Sequence, residues 1–265
     1  MSDAPTVTVD HEGAVAVIRY ANAPSGLISN KGATLLADRI GHELAREATR
    51  CLVLTGGEEG VFIRHADVSQ IRRAGDAVAS GTIRPEDFAA SPFARIGHML
   101  DASEKPVIAA INGVCMGGGL EIALACTLRI AASSPNYPIG LPEIRIGIFP
   151  GAGGIARLAR LIGAHRARRF ALEGAIVNAG AAAELGLIDE LAADPVGRAI
   201  DLATIFTGRH PAAVAAIMEL AATEDDDSAI ERSMIRFGEL VGGSREIRHR
   251  LSAFAKGNRS LEDMD

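Results

Sequence analysis

The sequence predicts an α/β fold, on three observations. Short runs rich in Val, Ile and Leu alternate with segments whose apolar residues recur at helical spacing. Glycine closes the clearest of those runs, at Gly56-Gly57 after CLVLT and at Gly113 after PVIAAIN. From about Pro195 onward the strand signals cease, and only helical patterns follow. The expected organisation is an α/β body over residues 1–195 and a helical C-terminal region over 196–265.

Taken in order, residues 14–20 (AVAVIRY) read as a strand. Residues 32–50 carry Leu35, Leu36, Ile40 and Leu44 on one helical face. Residues 51–55 (CLVLT) are a buried strand before a turn. Residues 67–83 are polar and charged with a weak pattern, a mobile surface stretch. Residues 88–103 read as helix, 106–112 as a third buried strand, 120–127 as a helix and 128–132 as a short strand. Asn178 is a helix N-cap before 179–185, with Gly186 as the stop. Residues 211–223, 228–241 and 244–256 are expected helices, joined by the acidic connector 224–227. No repeat of near-identical units is present.

Composition narrows the function classes. A chain of 265 residues that is 48% hydrophobic and 23% charged is an ordinary globular protein. At this length it buries about 70–75% of its unfolded surface, so no metal or disulfide staple is required. Cys51, Cys115 and Cys126 form no C-x-x-C pair and sit in apolar runs. They read as buried reduced thiols, which points to a reducing, cytoplasmic setting. The first ten residues lack the features of a signal peptide, and no apolar run reaches the roughly 18 residues of a membrane span. A net charge of −6 argues against nucleic acid and anionic membrane as partners.

The chemistry concentrates in Asn112 to Glu121, NGVCMGGGLE. A buried strand enters three glycines, and a helix opens directly after them. Glycine lets backbone amides approach a ligand, and a helix N-terminus adds unpaired donors and partial positive charge. The run is either an anion or oxyanion site or a tight turn packed closely. Its spacing matches neither the dinucleotide fingerprint nor a phosphate loop. Glu121 lies in the first turn of a helix otherwise built from Leu, Ile, Ala and Cys. Such a helix is buried, and a glutamate there has either a chemical purpose or the favour of the helix dipole. A second carboxylate, Glu143, stands in IGLPEIRIGIFPGAGG, a segment held by Pro142 and Pro150. Two carboxylates beside one oxyanion site can hold a water and serve as base and acid. The segment GVFIRHADV, residues 60–68, follows the strand 51–55 and is placed to add a backbone amide. Taken alone, Arg64, His65 and Asp67 are ordinary loop polars.

These residues resemble the crotonase superfamily, also called the enoyl-CoA hydratase/isomerase family. The stretches NGVCMGGGLEIALACTLRIA and LPEIRIGIFPGAGGIARLARLIG carry the resemblance in order and spacing, and it extends from about Val7 to Arg259. The resemblance implies a crotonase-like core of repeated ββα units with a helical C-terminal region that mediates homotrimer contacts, often in dimers of trimers. It implies an acyl-CoA thioester substrate, with no metal and no cofactor besides the coenzyme A that the substrate carries. It implies Glu121 and Glu143 as catalytic residues, the amides of Ala66 and Gly118 as oxyanion hole, and substrate contacts from Gly26, Leu27, Arg64, His65, Asp67, Val68, Gly117, Pro142 and Gly151.

The chain departs from the family pattern in three places. His65 stands where the family has a glycine, and Arg64 where it has a small residue; Arg64 either reaches a CoA phosphate or points, with His65, to solvent. Tyr20 to Leu27 is altered, and two residues are added near Ser134 to Tyr137. Both glutamates being present favours hydration of a 2-enoyl-CoA. Shift of a 3-enoyl double bond by Glu143 alone, another CoA-ester reaction, and non-catalytic acyl-CoA binding are the alternatives.

Overall fold

The computed structural model of the protein describes residues 4–222. The expected helices 228–241 and 244–256 and the connector 224–227 lie outside the described residues. The chain divides into two compact units, Met1–Arg209 and His210–Asp265.

The first unit opens with strands β1 (Thr6–Glu12) and β2 (Val15–Ala21), helix α1 (Asn30–Ala45), and strands β3 (Cys51–Gly56) and β4 (Gly60–Ile63). Helix α2 (Val68–Ala79), a 3-10 turn at Pro85–Ala90 and helix α3 (Pro92–Asp101) follow. Then come β5 (Val107–Ile111), β6 (Gly113–Met116), α4 (Gly118–Ala125), β7 (Leu128–Ala132) and β8 (Ile139–Gly140). A 3-10 turn at Glu143–Ile146 precedes α5 (Gly154–Ile162), α6 (Ala164–Leu172), β9 (Ile176–Val177), α7 (Ala179–Glu184), β10 (Glu190–Ala192) and α8 (Pro195–Thr207). In the second unit, α9 spans Pro211–Ala222, close to the expected 211–223.

The fold class is α/β, as expected. Asn178 caps α7 by accepting from the Ala181 amide at 2.9 Å, and Gly186 ends the turn beyond it with φ +82°. The stretch expected to be mobile, 67–83, instead contains α2. That helix buries no residue, so it leaves no apolar period to read. Local terms form it: Asp67 accepts from the Ser69 amide at 3.0 Å, and Arg72 pairs with Asp76 at 2.6 Å one turn on.

Two sheets organise the unit. One has the order β1-β2-β3-β5-β7-β10, with β1 antiparallel to β2 and the remaining neighbours parallel. The other has the order β4-β6-β8-β9, parallel from β4 through β8. Successive pairs β3/β4, β5/β6 and β7/β8 each send one strand to the first sheet and one to the second. These are the repeated ββα units. Alternation along the strands gives two cores. Ala16, Ile18, Leu52, Leu54, Ala109 and Ile111 pack with Leu36 and Ile40 of α1 and with α3 and α4. Val15, Val17, Cys51, Val53, Ile108 and Ala110 pack with Ala199 and Ala203 of α8.

This topology positions a site. β4, β6 and β8 are parallel neighbours, so the segments leaving their C-terminal ends emerge side by side. Those segments are Arg64–Asp67, Gly117–Gly118 and Leu141–Glu143.

Candidate active site

The three segments are tied to one another through backbone bonds. The Met116 amide donates to the Arg64 carbonyl at 3.1 Å, and the Gly117 amide donates to the Gly140 carbonyl at 2.9 Å. Ile28 donates to the His65 carbonyl at 2.9 Å and accepts from the Asp67 amide at 3.0 Å, which fixes the peptide chain on either side of Ala66. In this arrangement the Ala66 and Gly118 amides carry no backbone partner among the described residues. They lie close together: a Cβ built on Gly118 would sit 3.5 Å from the Ala66 nitrogen and 3.3 Å from the Ala66 Cβ. Gly118 is the first residue of α4, where an amide has no intrahelical acceptor. Two free donors at the positive end of a buried helix suit a developing oxyanion.

Gly117 makes the turn into α4 with φ +50°, the left-handed range that favours glycine. A Cβ there would lie 3.1 Å from Glu143 Oε1 and 3.3 Å from the His65 Cβ. The missing side chain therefore opens the gap between Glu143 and the Ala66 segment.

Every residue of α4 is buried, Glu121 included. Its Oε1 accepts from the Ala152 amide at 2.8 Å and the Gly154 amide at 2.9 Å. Burial raises the Glu121 carboxyl above its ordinary range, opposed by those two donors and by the charge of Arg157. Glu143 begins its 3-10 turn, with Pro142 at the capping position. Its Oε2 is buried and accepts no hydrogen bond among the described residues. Burial, with the nearby charge of Glu121 adding to it, pushes the Glu143 carboxyl up to about 7. Two carboxyls in unlike surroundings thus stand beside one pair of free amides.

The remaining expected residues separate by position. Arg64 does not stand free in solvent: it is half-buried, and its Nε donates to the Ser25 carbonyl at 3.0 Å. Its amide donates to the Gly26 carbonyl at 2.8 Å, so Arg64 staples the loop that carries Gly26 and Leu27. His65 is also half-buried, with Nδ1 2.8 Å from the Ala66 carbonyl. Asp67 caps α2, and hydrogen bonds, chiefly from Ser69, hold its carboxyl below the usual range. Val68, the first residue of α2, is exposed. Gly151 is exposed, and the neighbouring Ala152 amide makes the bond to Glu121. A pocket of about 570 Å³ is lined by Asn22, Pro24, Ser25, Leu27, Lys31, Asp67 and Gln70 among others, but by neither glutamate. Among the described residues, no three His, Cys, Asp or Glu side chains are grouped to hold a metal ion. No helix among them is long and apolar enough to cross a membrane.

Sequence reasoning missed the supports of Glu121, namely the Ala152 and Gly154 amides and, behind them, Arg157. Glycines in the 147–154 segment were visible. Nothing in the pattern said which amides turn toward the carboxylate.

Comparison with known proteins identifies the family. The sequence profile of the family described as Enoyl-CoA hydratase/isomerase matches residues 42–238. YngF of Bacillus subtilis is 42% identical over 168 residues, 62% of this chain and 61% of that protein. The short-chain-enoyl-CoA hydratase of Clostridium acetobutylicum is 32% identical over 212 residues, covering 78% of this chain and 77% of that one. The crystal structure of an enoyl-CoA hydratase from Bacillus anthracis superposes with a TM-score of 0.81 at 29% identity, covering 95% of this chain and 96% of the other. The matched stretch spans 61% of YngF and only 24% of the fatty acid oxidation complex subunit alpha of Shewanella halifaxensis.

Proposed function

The chain belongs to the enoyl-CoA hydratase/isomerase family, and on that premise we propose that it adds water across the 2,3 double bond of a 2-enoyl-CoA. The observation that carries this proposal is the pair of unlike carboxyls beside the free Ala66 and Gly118 amides.

In the proposed reaction the thioester oxygen accepts hydrogen bonds from the Ala66 and Gly118 amides. Water attacks C3 and gives a proton to the Glu121 carboxylate. The electron pair of the double bond moves onto the thioester as an enolate, and the protonated Glu143 carboxyl delivers a proton to C2. Proton exchange between the two carboxyls through solvent restores the starting state, so the sum is one water added. Each amide lowers the barrier by about 2.7–4 kcal/mol because it faces charge that develops only in the transition state. Glu143, pushed up to about 7, keeps a protonated fraction near neutral pH, as an acid requires. The thioester itself activates the double bond, so the proposal includes no metal or redox group. It also includes assembly as a homotrimer or dimer of trimers, on family resemblance, and a cytoplasmic setting, on the three free buried thiols.

The test is incubation with crotonyl-CoA and longer 2-enoyl-CoAs while the conjugated thioester absorbance is followed. Glu121→Gln and Glu143→Gln should each lower kcat by about 10²–10⁴-fold. Activity of the parent protein should fall as pH rises through about 7, where Glu143 loses its proton. Failure to turn over any chain length sinks the proposal. One observation favours a second reading, isomerisation of a 3-enoyl-CoA: the unpartnered Oε2 of Glu143, while Glu121 is engaged by loop amides. Loss of activity in Glu143→Gln with retention in Glu121→Gln would select it.

A further inference from the structure

Glu121 depends on the segment Pro150–Gly154, whose amides bond its carboxylate and which contains three glycines. Arg157, on α5, holds that segment. Its Nη1 donates to the Ala152 carbonyl at 2.7 Å, on the residue whose amide meets Glu121. Its other edge forks onto Asp101 at the end of α3, with Nε 3.0 and 3.2 Å from the two carboxylate oxygens and Nη2 2.6 Å from Oδ2. The Arg157 side chain is 10% exposed. Two glycines in different elements make its seat. A Cβ on Gly97 would come 2.5 Å from Nη2, and one on Gly153 would come 2.7 Å from Nη1. An ion pair with one exposed partner is weak evidence for stability by itself. The third bond, to the peptide that orients a carboxylate, gives this pair a more specific task.

We propose that Arg157, locked by Asp101, is the positioning residue for Glu121: it fixes the Ala152 peptide that bonds the carboxylate and supplies a compensating positive charge. This rests on the proposed hydratase function for its catalytic consequence, but not for its structural one. Few other charges bear on Glu121. The elements around α4 bring Arg160 from α5, Arg95, His98 and Asp101 from α3, Cys115 from β6, and Glu143 with Arg145 from the Glu143–Ile146 turn; β4 brings none. Besides the Gly154 and Ala152 amides, Arg157 is the charged group that opposes the effect of burial on Glu121, and its own partner is Asp101.

Three variants divide the roles. Arg157→Gln removes charge and fork, Arg157→Lys keeps the charge without the fork, and Asp101→Asn frees an intact arginine. Ionisation of Glu121 is followed by infrared difference titration, assigned with Glu121→Gln, and kcat and KM for crotonyl-CoA are measured on the same preparations. Arg157→Gln should move the Glu121 midpoint up by about one unit. It should lower kcat at least about tenfold with KM within about twofold. Arg157→Lys should lower kcat while leaving the midpoint near that of the parent. Asp101→Asn should lower kcat about threefold without raising the midpoint. A folded Arg157→Gln with an unmoved midpoint overturns the proposal. If that variant does not fold, unchanged kcat in both other variants overturns it. The titration needs no turnover, so an inactive parent protein with a shifted midpoint in Arg157→Gln defeats the hydratase function alone. An active parent with an unshifted midpoint defeats the Arg157 proposal alone.

Discussion

Glu143 pays for its placement in stability at high pH. Its Oε2 is buried without a donor among the described residues, so the fold disfavours the charged form and pushes the carboxyl from its ordinary 4.5 up to about 7. A group raised on folding contributes stability that is fully present below about pH 4.5 and lost as pH rises through about 7. Glu143→Gln cannot ionise and keeps that contribution. At pH 8 it should therefore be more stable than the parent by about 1 kcal/mol, after allowance for solvent screening. At pH 4.5 the two should unfold at nearly the same urea concentration. Equal stability at both pH values would show that Glu143 is not strained by its surroundings. The site residues differed in how far they could be read beforehand. Glu121 stood out because its neighbours along the helix are all apolar, which makes a carboxylate anomalous. Glu143 did not, because Gly117 and Glu121, which stand beside it in the fold, are distant in sequence. Arg157 carried no signal in the sequence, since its partners Asp101 and Ala152 meet it only in the folded chain.

Two glycines in helices show how an element's surroundings decide the sign of a substitution. Gly75 is exposed in the middle of α2, and a Cβ there would meet nothing within 4 Å. Alanine removes the backbone freedom of the unfolded chain at no steric cost, so Gly75→Ala should stabilise by about 0.5–1 kcal/mol in chemical denaturation. Gly119 is buried in the first turn of α4, where a Cβ would collide with the Ile63 carbonyl oxygen of β4. Gly119→Ala must push the helix off the strand that leads to Ala66. It should destabilise by about 3 kcal/mol. An inert Gly119→Ala would mean that α4 and β4 can part freely. The same contrast explains which elements were legible. β2, β3, β5, α1 and α7 announced themselves through buried periodicity or a cap. The second sheet did not: β4 and β6 have four residues each, β8 and β9 two, too few to show alternation. α2 was invisible for the opposite reason, since none of its residues is buried and it owes its form to Asp67 and local pairing.

The six-stranded sheet of the first unit carries a core on each face, and the three thiols sample both. Cys51 lies on the face covered by α8, and Cys115 and Cys126 lie in the core that includes α1, α3 and α4. All three are free and buried. Burial pushes Cys51 and Cys126 up to about 12 and raises Cys115 further. At pH 8 the thiolate that reacts with a disulfide reagent is therefore scarce in the native state, and labelling must wait for an opening. The two faces are unequally secured. α8 fully buries only Pro195, Ala199 and Ala203, and its larger apolar residues Val196, Ile200, Leu202 and Phe206 are only partly buried against that face. The opposite core interlocks residues from both sheets and several helices, Leu36, Ile40, Phe62, Leu120 and Leu158 among them. Separation of α8 should therefore cost less than global unfolding. In urea below the main transition, mass spectrometry should find Cys51 modified first, with Cys115 and Cys126 following only as the whole unit unfolds. Simultaneous labelling of all three would show instead that both faces of the sheet open in one cooperative step.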